Sequence, residues 1–191
     1  RLQGTTFSFP WQLRGTIDAL KTPHPAAELF LQTRGEASSL PARLLGGVAS
    51  WKPAGSAELR LVCRGEVRDW SQMEVMAQAV IRDGAVSVPH WPHRLEQIEA
   101  RLAYDHLAGQ LIIASLSAVT QGAPLSMHGT VTLTDPATVD LTASAQADLA
   151  VLRSALPERH AIQQASGAVH ASARIQGRLP DVQWQAEARL T

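Results

Sequence analysis

Seven histidines and one cysteine are the first side chains of this 191-residue chain to examine for chemistry. His90 and His93 stand three residues apart in the segment PHWPH, on either side of Trp91, a spacing that can bring two imidazoles to one metal ion. A zinc site needs three or four converging ligands, and no cysteine or carboxylate near this pair has recognisable metal-ligand spacing. Because Pro89 and Pro92 cannot donate to a β-ladder, the segment is predicted to be a corner between two strands.

The other nucleophilic or titratable candidates lie in patterns that favour structural roles. Cys63 shares an alternating face with Leu59 and Leu61, and no neighbour lowers the pKa of its thiol, so we expect a small apolar filler. His128 and His170 fall on polar faces of their segments and are expected at the solvated surface. The remaining histidines are scattered: His24, His106 and His160. No GxSxG, phosphate-loop or paired-carboxylate motif occurs, so we predict no enzyme activity, metal or cofactor.

The composition excludes several classes of partner and of fold. Seventeen basic and seventeen acidic residues cancel and are scattered, so no basic stripe indicates nucleic acid. A hydrophobic content of 45% allows one or two globular domains, and a single cysteine excludes an internal disulfide framework while leaving the compartment open. No run of about twenty apolar residues could span a bilayer. The chain begins at Arg1 without methionine and ends in a strand-like pattern, so we expect a piece of a longer protein.

Apolar and polar residues alternate with a period of two through most of the chain, which predicts strands with one buried and one wet face. The clearest segments are residues 11–18, 97–104, 125–134, 139–146, 169–176 and 182–190. Residues 69–80, DWSQMEVMAQAV, fit either a helix or a strand, and we favour the strand. One-face-buried strands of this kind are typical of antiparallel sheets.

Short turn segments separate the strands, and one segment is helical in pattern. The predicted turns are TPHP at 22–25, KPAG at 52–55, RDG at 82–84, LAG at 107–109, QGAP at 121–124, TDPA at 134–137 and LPD at 179–181. In residues 148–157, Asp148 is a candidate N-cap, Leu149, Leu152 and Leu156 have helical spacing, and Pro157 ends the helix. The pattern leaves open whether two sheets pack as a sandwich or one sheet curls around an exposed apolar surface.

The order of these elements resembles the AsmA-like family of Gram-negative envelope proteins, which includes AsmA and TamB. The matching elements are the DG turn of IRDGAVSVP, a strand ending in Gly129, the DLAVLRSALP helix after an alternating strand, and a G-x-x-P turn at Gly177 to Pro180. The resemblance is clear over residues 81–191, an AsmA-like β repeat with a short helix near 148–157. Residues 1–80 fit loosely, as a first β repeat segment. GTIDALKTPHPAAELFLQTRG also resembles IQGRLPDVQWQAEARL, roughly 160 residues later.

The resemblance implies an all-β fold, with a curved, mostly antiparallel sheet shaped as a half-pipe or taco-like groove and one short α-helix. It implies a periplasmic segment of an inner-membrane-anchored protein that carries phospholipid between the inner and outer membranes, in lipid homeostasis and outer-membrane biogenesis. Its partners would be phospholipid or another acyl-chain lipid and envelope membrane proteins, with no nucleic acid, and self-association through exposed edge strands is a further expectation. The expected groove lining is Leu102, Tyr104, Leu111, Ile113, Leu125, Met127, Val131, Leu133, Leu141, Val169, Ile175 and Trp184.

A second interpretation is a closed β-sandwich that binds carbohydrate or protein. In that case Trp51, Trp70 and Trp91 would form a stacking platform, while Trp11 and Trp184 lie on apolar faces and would be core or lining.

Overall fold

A computed structural model describes residues 2–6, 9–18, 25–39, 52–66, 69, 72–87, 93–148 and 167–191. These residues form eleven strands in one antiparallel sheet, with a short 3₁₀ turn at Ala37–Ser39. The strands are β1 Leu2–Thr6, β2 Phe9–Asp18, β3 Ala26–Glu36, β4 Ala54–Glu66, β5 Glu74–Ser87, β6 Arg94–Asp105, β7 Gln110–Thr120, β8 Ala123–Thr132, β9 Thr138–Asp148, β10 Ala168–Arg178 and β11 Val182–Leu190.

Each strand pairs with its neighbours in the chain, so the spatial order runs from β1 to β11 without a crossover. The sheet is curved and unclosed, which confirms the predicted all-β, antiparallel, groove-like architecture. The meander follows from the sequence, because turns as short as Gln121–Gly122 between β7 and β8 can join only adjacent antiparallel strands.

The two faces of the sheet differ in both chemistry and exposure. Along β8, Leu125 and Met127 are half-buried while Ser126 and His128 are exposed, and parts of β2, β3, β9 and β10 show the same alternation. Cross-strand partners keep this alternation in phase, since Met127 opposes Ala143 and Ser126 opposes Ser144. The side carrying the half-buried aliphatic residues is called the apolar face below, and the side carrying Ser126 and His128 the polar face.

Register shifts interrupt the ladder only between β4 and β8. One of them corrects a prediction: the RDG segment at 82–84 is not a turn but an irregularity inside β5, where the pairing with β6 skips between Ile81 and Gly84. Asp83 has φ of +50° and its N–H donates to the Glu99 carboxylate at 3.1 Å. Such bulges bend a strand and increase its twist, so they contribute curvature to the middle of the sheet.

The described residues include some of the remaining predicted elements completely and others only in part. Residues 69–80 contain the start of β5 at Glu74, so the preference for a strand over a helix is confirmed. The boundary between the two predicted repeat segments, 1–80 and 81–191, lies within that strand. Ser87 pairs with Arg94, so the chain reverses across the PHWPH segment, of which only His93 is among the described residues. Asp148 is the last residue of β9, and the rest of the predicted helix lies outside the described residues.

Gly129, where the sequence pattern predicted the end of a strand, lies inside β8, which continues to Thr132. Its φ is +141°, a conformation that L side chains rarely adopt. A Cβ at this position would overlap the carbonyl oxygen of Asp140 and stand 2.8 Å from the Cα of Leu141 on β9. The missing side chain therefore permits close approach of β8 and β9 on the apolar face.

We expect Gly129→Ala to destabilise the sheet by about 2–4 kcal/mol, because the added Cβ must displace the β9 backbone in addition to straining φ. Gly122→Ala is the matched control: Gly122 also has a positive φ, +77°, but no atom lies within 4 Å of a Cβ built there. The control should lose only about 1 kcal/mol. Urea unfolding followed by circular dichroism measures both, and equal losses would contradict the close-approach explanation.

Candidate functional site

The apolar face is the strongest candidate site, because cross-strand pairing aligns its side chains in rows that run across the whole sheet. The first row contains one residue from each of the eleven strands, and Tyr104 alone in it carries a polar side-chain atom. The row reads Leu2, Leu13, Leu31, Leu61, Ala77, Tyr104, Leu111, Val131, Val139, Gly177 and Val182.

Two further rows lie beside the first. The second row also crosses every strand: Gly4, Trp11, Thr33, Leu59, Ala79, Leu102, Ile113, Gly129, Leu141, Ile175 and Trp184. The third runs from β3 to β11: Gly35, Ala57, Ile81, Ala100, Leu116, Met127, Ala143, Ala173 and Ala186. At about 4.8 Å per strand, the apolar strip extends roughly 48 Å from one edge strand to the other.

At the β2–β3 end of the second row, the polar side-chain atoms form hydrogen bonds to other residues of the sheet. The Trp11 indole N–H donates to the Thr6 hydroxyl at 3.1 Å, and the Thr33 hydroxyl donates to the Pro10 carbonyl at 2.9 Å. Glycines lie directly beneath the aromatic rings here: a Cβ on Gly4 would stand 2.6 Å from the Trp11 ring. Aromatic side chains that cover glycines in this way protect the bare backbone and leave an apolar surface.

The apolar face is only partly shielded from solvent. Among the described residues, six hydrophobic side chains are buried and no polar or charged one is; the six are Phe9, Ala27, Cys63, Met73, Ala100 and Ala118. Most other members of the three rows are half-buried, and Leu59 and Trp184 are exposed to 37% and 76%. The described residues form no second sheet against this face, so a two-sheet sandwich is not their architecture.

The structure brings eleven of the twelve predicted lining residues onto the apolar face. Nine of them belong to the three rows. The other two lie on the same face just outside the rows, where Leu125 pairs with Ala145 and Val169 pairs with Leu190. Leu133 does not continue the β8 alternation, since β8 ends at Thr132 and Leu133 lies in the following turn with 56% exposure. Its backbone N–H donates to the Gly109 carbonyl of the preceding turn, which fixes Leu133 at the rim of the sheet.

The predicted groove lining omitted the part of the face formed by the first eighty residues, although their alternation was recognised. Leu13, Leu31 and Leu61 continue the row of Tyr104 and Leu111 without a break. The signal was present in the alternation of residues 57–63, where Leu59, Leu61 and Cys63 share a face. Leu116 was also missed, because the irregularity between Ile113 and Leu116 shifts the alternation of β7 out of phase with a simple period of two.

Within the described residues, the side chains that first suggested chemistry do not converge on one metal-binding cluster. Cys63 is buried, and desolvation raises the pKa of its thiol, which disfavours the nucleophilic thiolate. His128 and His170 are exposed on the polar face, and a His93 ring nitrogen lies 2.8 Å from the Gln121 amide. No group of three or more histidine, cysteine, aspartate or glutamate side chains within the described residues could hold a metal ion. His24, His90, His160, Trp51, Trp70 and Trp91 lie outside the described residues.

The polar face carries solvated ion pairs and hydroxyl groups. Arg174 donates from Nε and Nη2 to both carboxylate oxygens of Asp140, at 3.2 and 3.0 Å. Arg64 Nε lies 2.7 Å from a Glu28 carboxylate oxygen, also across strands. A shallow depression of about 660 Å³ contains the cross-strand line Ser117, Ser126, Ser144 and Ser172. These serines are exposed, so the depression is a wet surface and not an enclosed site.

The chain matches no protein-family model, no curated protein and no solved structure. Among the described residues, no helix is long and apolar enough to cross a membrane. The functional argument therefore starts from the geometry of the apolar face.

The Asp140–Arg174 ion pair makes the pKa of the Asp140 carboxyl depend on Arg174. The hydrogen bond from Arg174 and its positive charge hold the pKa of the Asp140 carboxyl below its usual value. A carboxyl with a depressed folded-state pKa adds stability that is complete above its unfolded pKa and is lost as pH falls through the folded pKa. We expect Arg174→Gln to raise the Asp140 pKa toward that of an unpaired aspartate, measured by NMR titration of its carboxyl carbon. Arg178→Gln, on the same strand and face, should leave that pKa unchanged, and an unchanged value in both variants would contradict the assignment.

Proposed function

We propose that this chain is a segment of a periplasmic bridge-like protein that carries phospholipid acyl chains along the apolar face, between the inner and outer membranes of a Gram-negative envelope. The observation that carries the proposal is the first row, which presents a nearly unbroken aliphatic surface from β1 to β11 on a sheet that does not close. The resemblance to the AsmA-like family supports the same function and supplies the compartment. In this proposal the role is transport, without a chemical reaction.

The physical need for such a surface follows from the cost of exposing an acyl chain to water. At roughly 0.8 kcal/mol per methylene, a chain of about sixteen carbons costs on the order of 13 kcal/mol when fully exposed. Free diffusion across an aqueous gap is therefore negligible. A continuous apolar strip lowers that barrier because part of the acyl surface stays in contact with aliphatic side chains at every step.

The side-chain composition of the strip favours movement over tight binding. From β8 to β11 the third row is Met127, Ala143, Ala173 and Ala186, which gives a shallow surface with no deep pocket to trap a chain. Met127 is adaptable in shape, and the alanines leave room beside the larger Leu141 and Ile175 of the second row. Binding of similar strength at each row position lets a ligand leave as easily as it enters.

The curvature gives the strip two rims. Strands of nine to fourteen residues, such as β11 and β5, span roughly 30–46 Å at about 3.3 Å per residue. Three exposed leucines, Leu107, Leu133 and Leu179, lie in the short turns on one rim. The acyl chains would lie on the strip with the polar headgroup directed past a rim into water.

Photo-crosslinking tests whether phospholipid occupies the apolar face. With benzoylphenylalanine placed singly at Leu102, Met127, Leu141 or Ile175, and the chain expressed in the periplasm of a Gram-negative bacterium, irradiation should yield phospholipid adducts detectable by mass spectrometry. Each site lies on the apolar face, so an adduct requires lipid on that side of the sheet.

Thr130 and Thr142 are matched controls, because they lie on β8 and β9 with side chains on the polar face. Benzoylphenylalanine at these positions should give few or no lipid adducts. Capture confined to Thr130 and Thr142 would refute lipid transport on the apolar face, and so would the absence of capture at every apolar-face position.

A charge placed in the strip should block lipid without unfolding the chain. Val131→Arg and Leu102→Glu each place a charge in one of the two full-length rows. On an open face the charged end reaches water, so we expect a loss of about 1–2 kcal/mol in the free energy of unfolding, whereas a closed core would lose several kcal/mol. Phospholipid that co-purifies with the chain should fall severalfold.

Thr132→Arg provides the control for the charge itself, since Thr132 follows Val131 on β8 and opposes the uncharged Gln110 and Thr138. Its lipid content should equal that of the unmodified chain. Far-ultraviolet circular dichroism and urea unfolding on all three variants separate a blocked strip from a lost fold. Unfolding of Val131→Arg with an intact Thr132→Arg variant would support a closed core and contradict the open strip.

A further inference from the structure

A second concave site lies on the polar face of β2, β3 and β4. This pocket, about 310 Å³ in volume, is lined by Arg14 and Arg60, and no aspartate or glutamate is among its described lining residues. The depression on the β7–β11 side of the same face differs, since it contains both Glu187 and Arg189. The chain has no net charge, so the pairing of these three strands concentrates positive charge at one place.

The register of β2, β3 and β4 explains how the two arginines meet. Six polar-face residues form two neighbouring cross-strand lines: Gln12, Gln32 and Arg60 in one, and Arg14, Phe30 and Val62 in the other. The arginines occupy diagonal corners of this array, with Cα atoms roughly 12 Å apart at about 4.8 Å per strand and 3.3 Å per residue. An arginine side chain is long enough to bring its guanidinium over the centre of the array, so both can contact one ligand.

Arg14 is held by an aromatic ring and not by a carboxylate. Its guanidinium carbon lies 5.6 Å from the centroid of the Phe30 ring. This contact uses one flat side of the guanidinium and leaves the N–H groups at its edge available for hydrogen bonds in the guanidinium plane. The described residues place no carboxylate within ion-pair distance of Arg14.

Arg60 is fixed by one carboxylate and still has donors to spare. Its Nε and Nη2 lie 2.9 and 2.8 Å from the same oxygen of Glu58. Glu58 also accepts from the Gln32 amide at 3.1 Å, and Arg82 Nη1 lies 3.9 Å from its other oxygen. Because a guanidinium has five N–H groups, three of those on Arg60 remain for a ligand.

The carboxylates next to the array are already matched by arginines. Glu28, which precedes Phe30 by two residues on β3, lies 2.7 Å from Arg64 Nε. Glu58 is matched by Arg60 in the same way. The charge of Arg14 is therefore left over, and salt confines its influence at an exposed site to about 8–10 Å. An anion bound in the array would lie within that distance.

We propose that this pocket binds the phosphate group of a phosphate ester. A guanidinium is a planar fork of N–H donors that matches two oxygens of an oxyanion. A carboxylate has only two oxygens and is satisfied by one fork. A phosphate monoester has three non-bridging oxygens, so it can accept from Arg14 on one side and from Arg60 on the other.

The rest of the array suits the organic part of such an ester. Gln12 and Gln32 are exposed, and their amides can exchange hydrogen bonds with hydroxyl groups. Val62 is half-buried and gives the pocket an apolar floor beside the Phe30 ring. The ligand class is therefore a small hydroxylated phosphate ester, either dissolved in water or exposed as the headgroup of a lipid.

Titration calorimetry of the whole 191-residue chain with glycerol 3-phosphate is the first test. We expect a dissociation constant on the order of 1 mM or lower, and Arg14→Gln and Arg60→Gln should each raise it about tenfold or more. Arg178→Gln is the matched control, because it removes an exposed arginine from the polar face of β10 and changes the net charge equally. Its affinity should stay unchanged. No binding up to roughly tenfold above that constant, or equal losses in all three variants, would overturn the proposal.

Two comparisons separate the fork geometry from a general positive charge. Arg14→Lys keeps the charge but lacks the planar fork, so it should weaken glycerol 3-phosphate binding about fivefold. Acetate should bind the unmodified chain about tenfold more weakly than glycerol 3-phosphate. Equal affinity for acetate would overturn the assignment to phosphate, and full affinity in Arg14→Lys would overturn the two-fork geometry. Circular dichroism should be the same for every variant, since the substituted side chains are exposed.

Vesicles distinguish the two sources of the phosphate ester. Sedimentation compares phosphatidylcholine vesicles with vesicles that also contain phosphatidic acid, whose headgroup is a phosphate monoester. Binding to phosphatidic acid that Arg14→Gln abolishes would support a lipid headgroup as the ligand, and binding of glycerol 3-phosphate alone would support a dissolved ester. Vesicle binding that is equal in both chains, without affinity for glycerol 3-phosphate, would overturn the pocket.

The pocket and the apolar face fail separately, because they lie on opposite sides of the sheet. Arg14→Gln should leave the yield of lipid adducts at Leu141 unchanged. Phosphate binding without any lipid adducts would reject the proposed transport and support the pocket. Lipid adducts on a chain that binds no phosphate ester would reject the pocket and support transport.

Discussion

The structure depends on the antiparallel hydrogen-bond ladder between strands that are consecutive in sequence. Most sheets of this size bury one face against another layer, but the described residues include only six buried hydrophobic side chains. The backbone pairing from β1 to β11 and the cross-strand contacts within each face therefore provide much of the cohesion. Each added strand stabilises its neighbour, as in other quasi-one-dimensional proteins.

Register gives this ladder one apolar and one polar face. Because side chains alternate with a period of two, a slip of one residue at any pairing would move the aliphatic side chains of all following strands to the wet face. The second row passes through eleven strands with its members in phase, from Gly4 to Trp184, although the ladder contains several irregularities. The irregularity between Ile113 and Leu116 of β7 absorbs extra residues locally, so that Leu116 returns to the apolar face opposite Met127. The bulges bend the sheet without reversing its faces.

The open topology decides how accessible the apolar face is. A sheet that closes into a barrel satisfies its edge strands but also encloses its interior. The described strands form an unclosed sheet, so the apolar face stays accessible from one side along its whole width. Trp184, which lies in the second row, is 76% exposed for this reason.

The sequence by itself determined the strands that alternate regularly and which of their side chains are apolar. The alternation in residues 139–146 and 169–176 predicted β9 and β10 closely, and the short turn at Gln121–Gly122 fixed the neighbours β7 and β8, because both signals are local. Eleven of the twelve predicted lining residues lie on the apolar face for the same reason, and Leu133 lies in a turn because β8 ends one residue earlier than the alternation suggests. Only the tertiary structure decided that RDG is a bulge inside β5, that the first eighty residues continue the same apolar rows, and that the sheet curves without closing. Those outcomes depend on register and twist accumulated over many strands, and the period of a single segment carries no information about them.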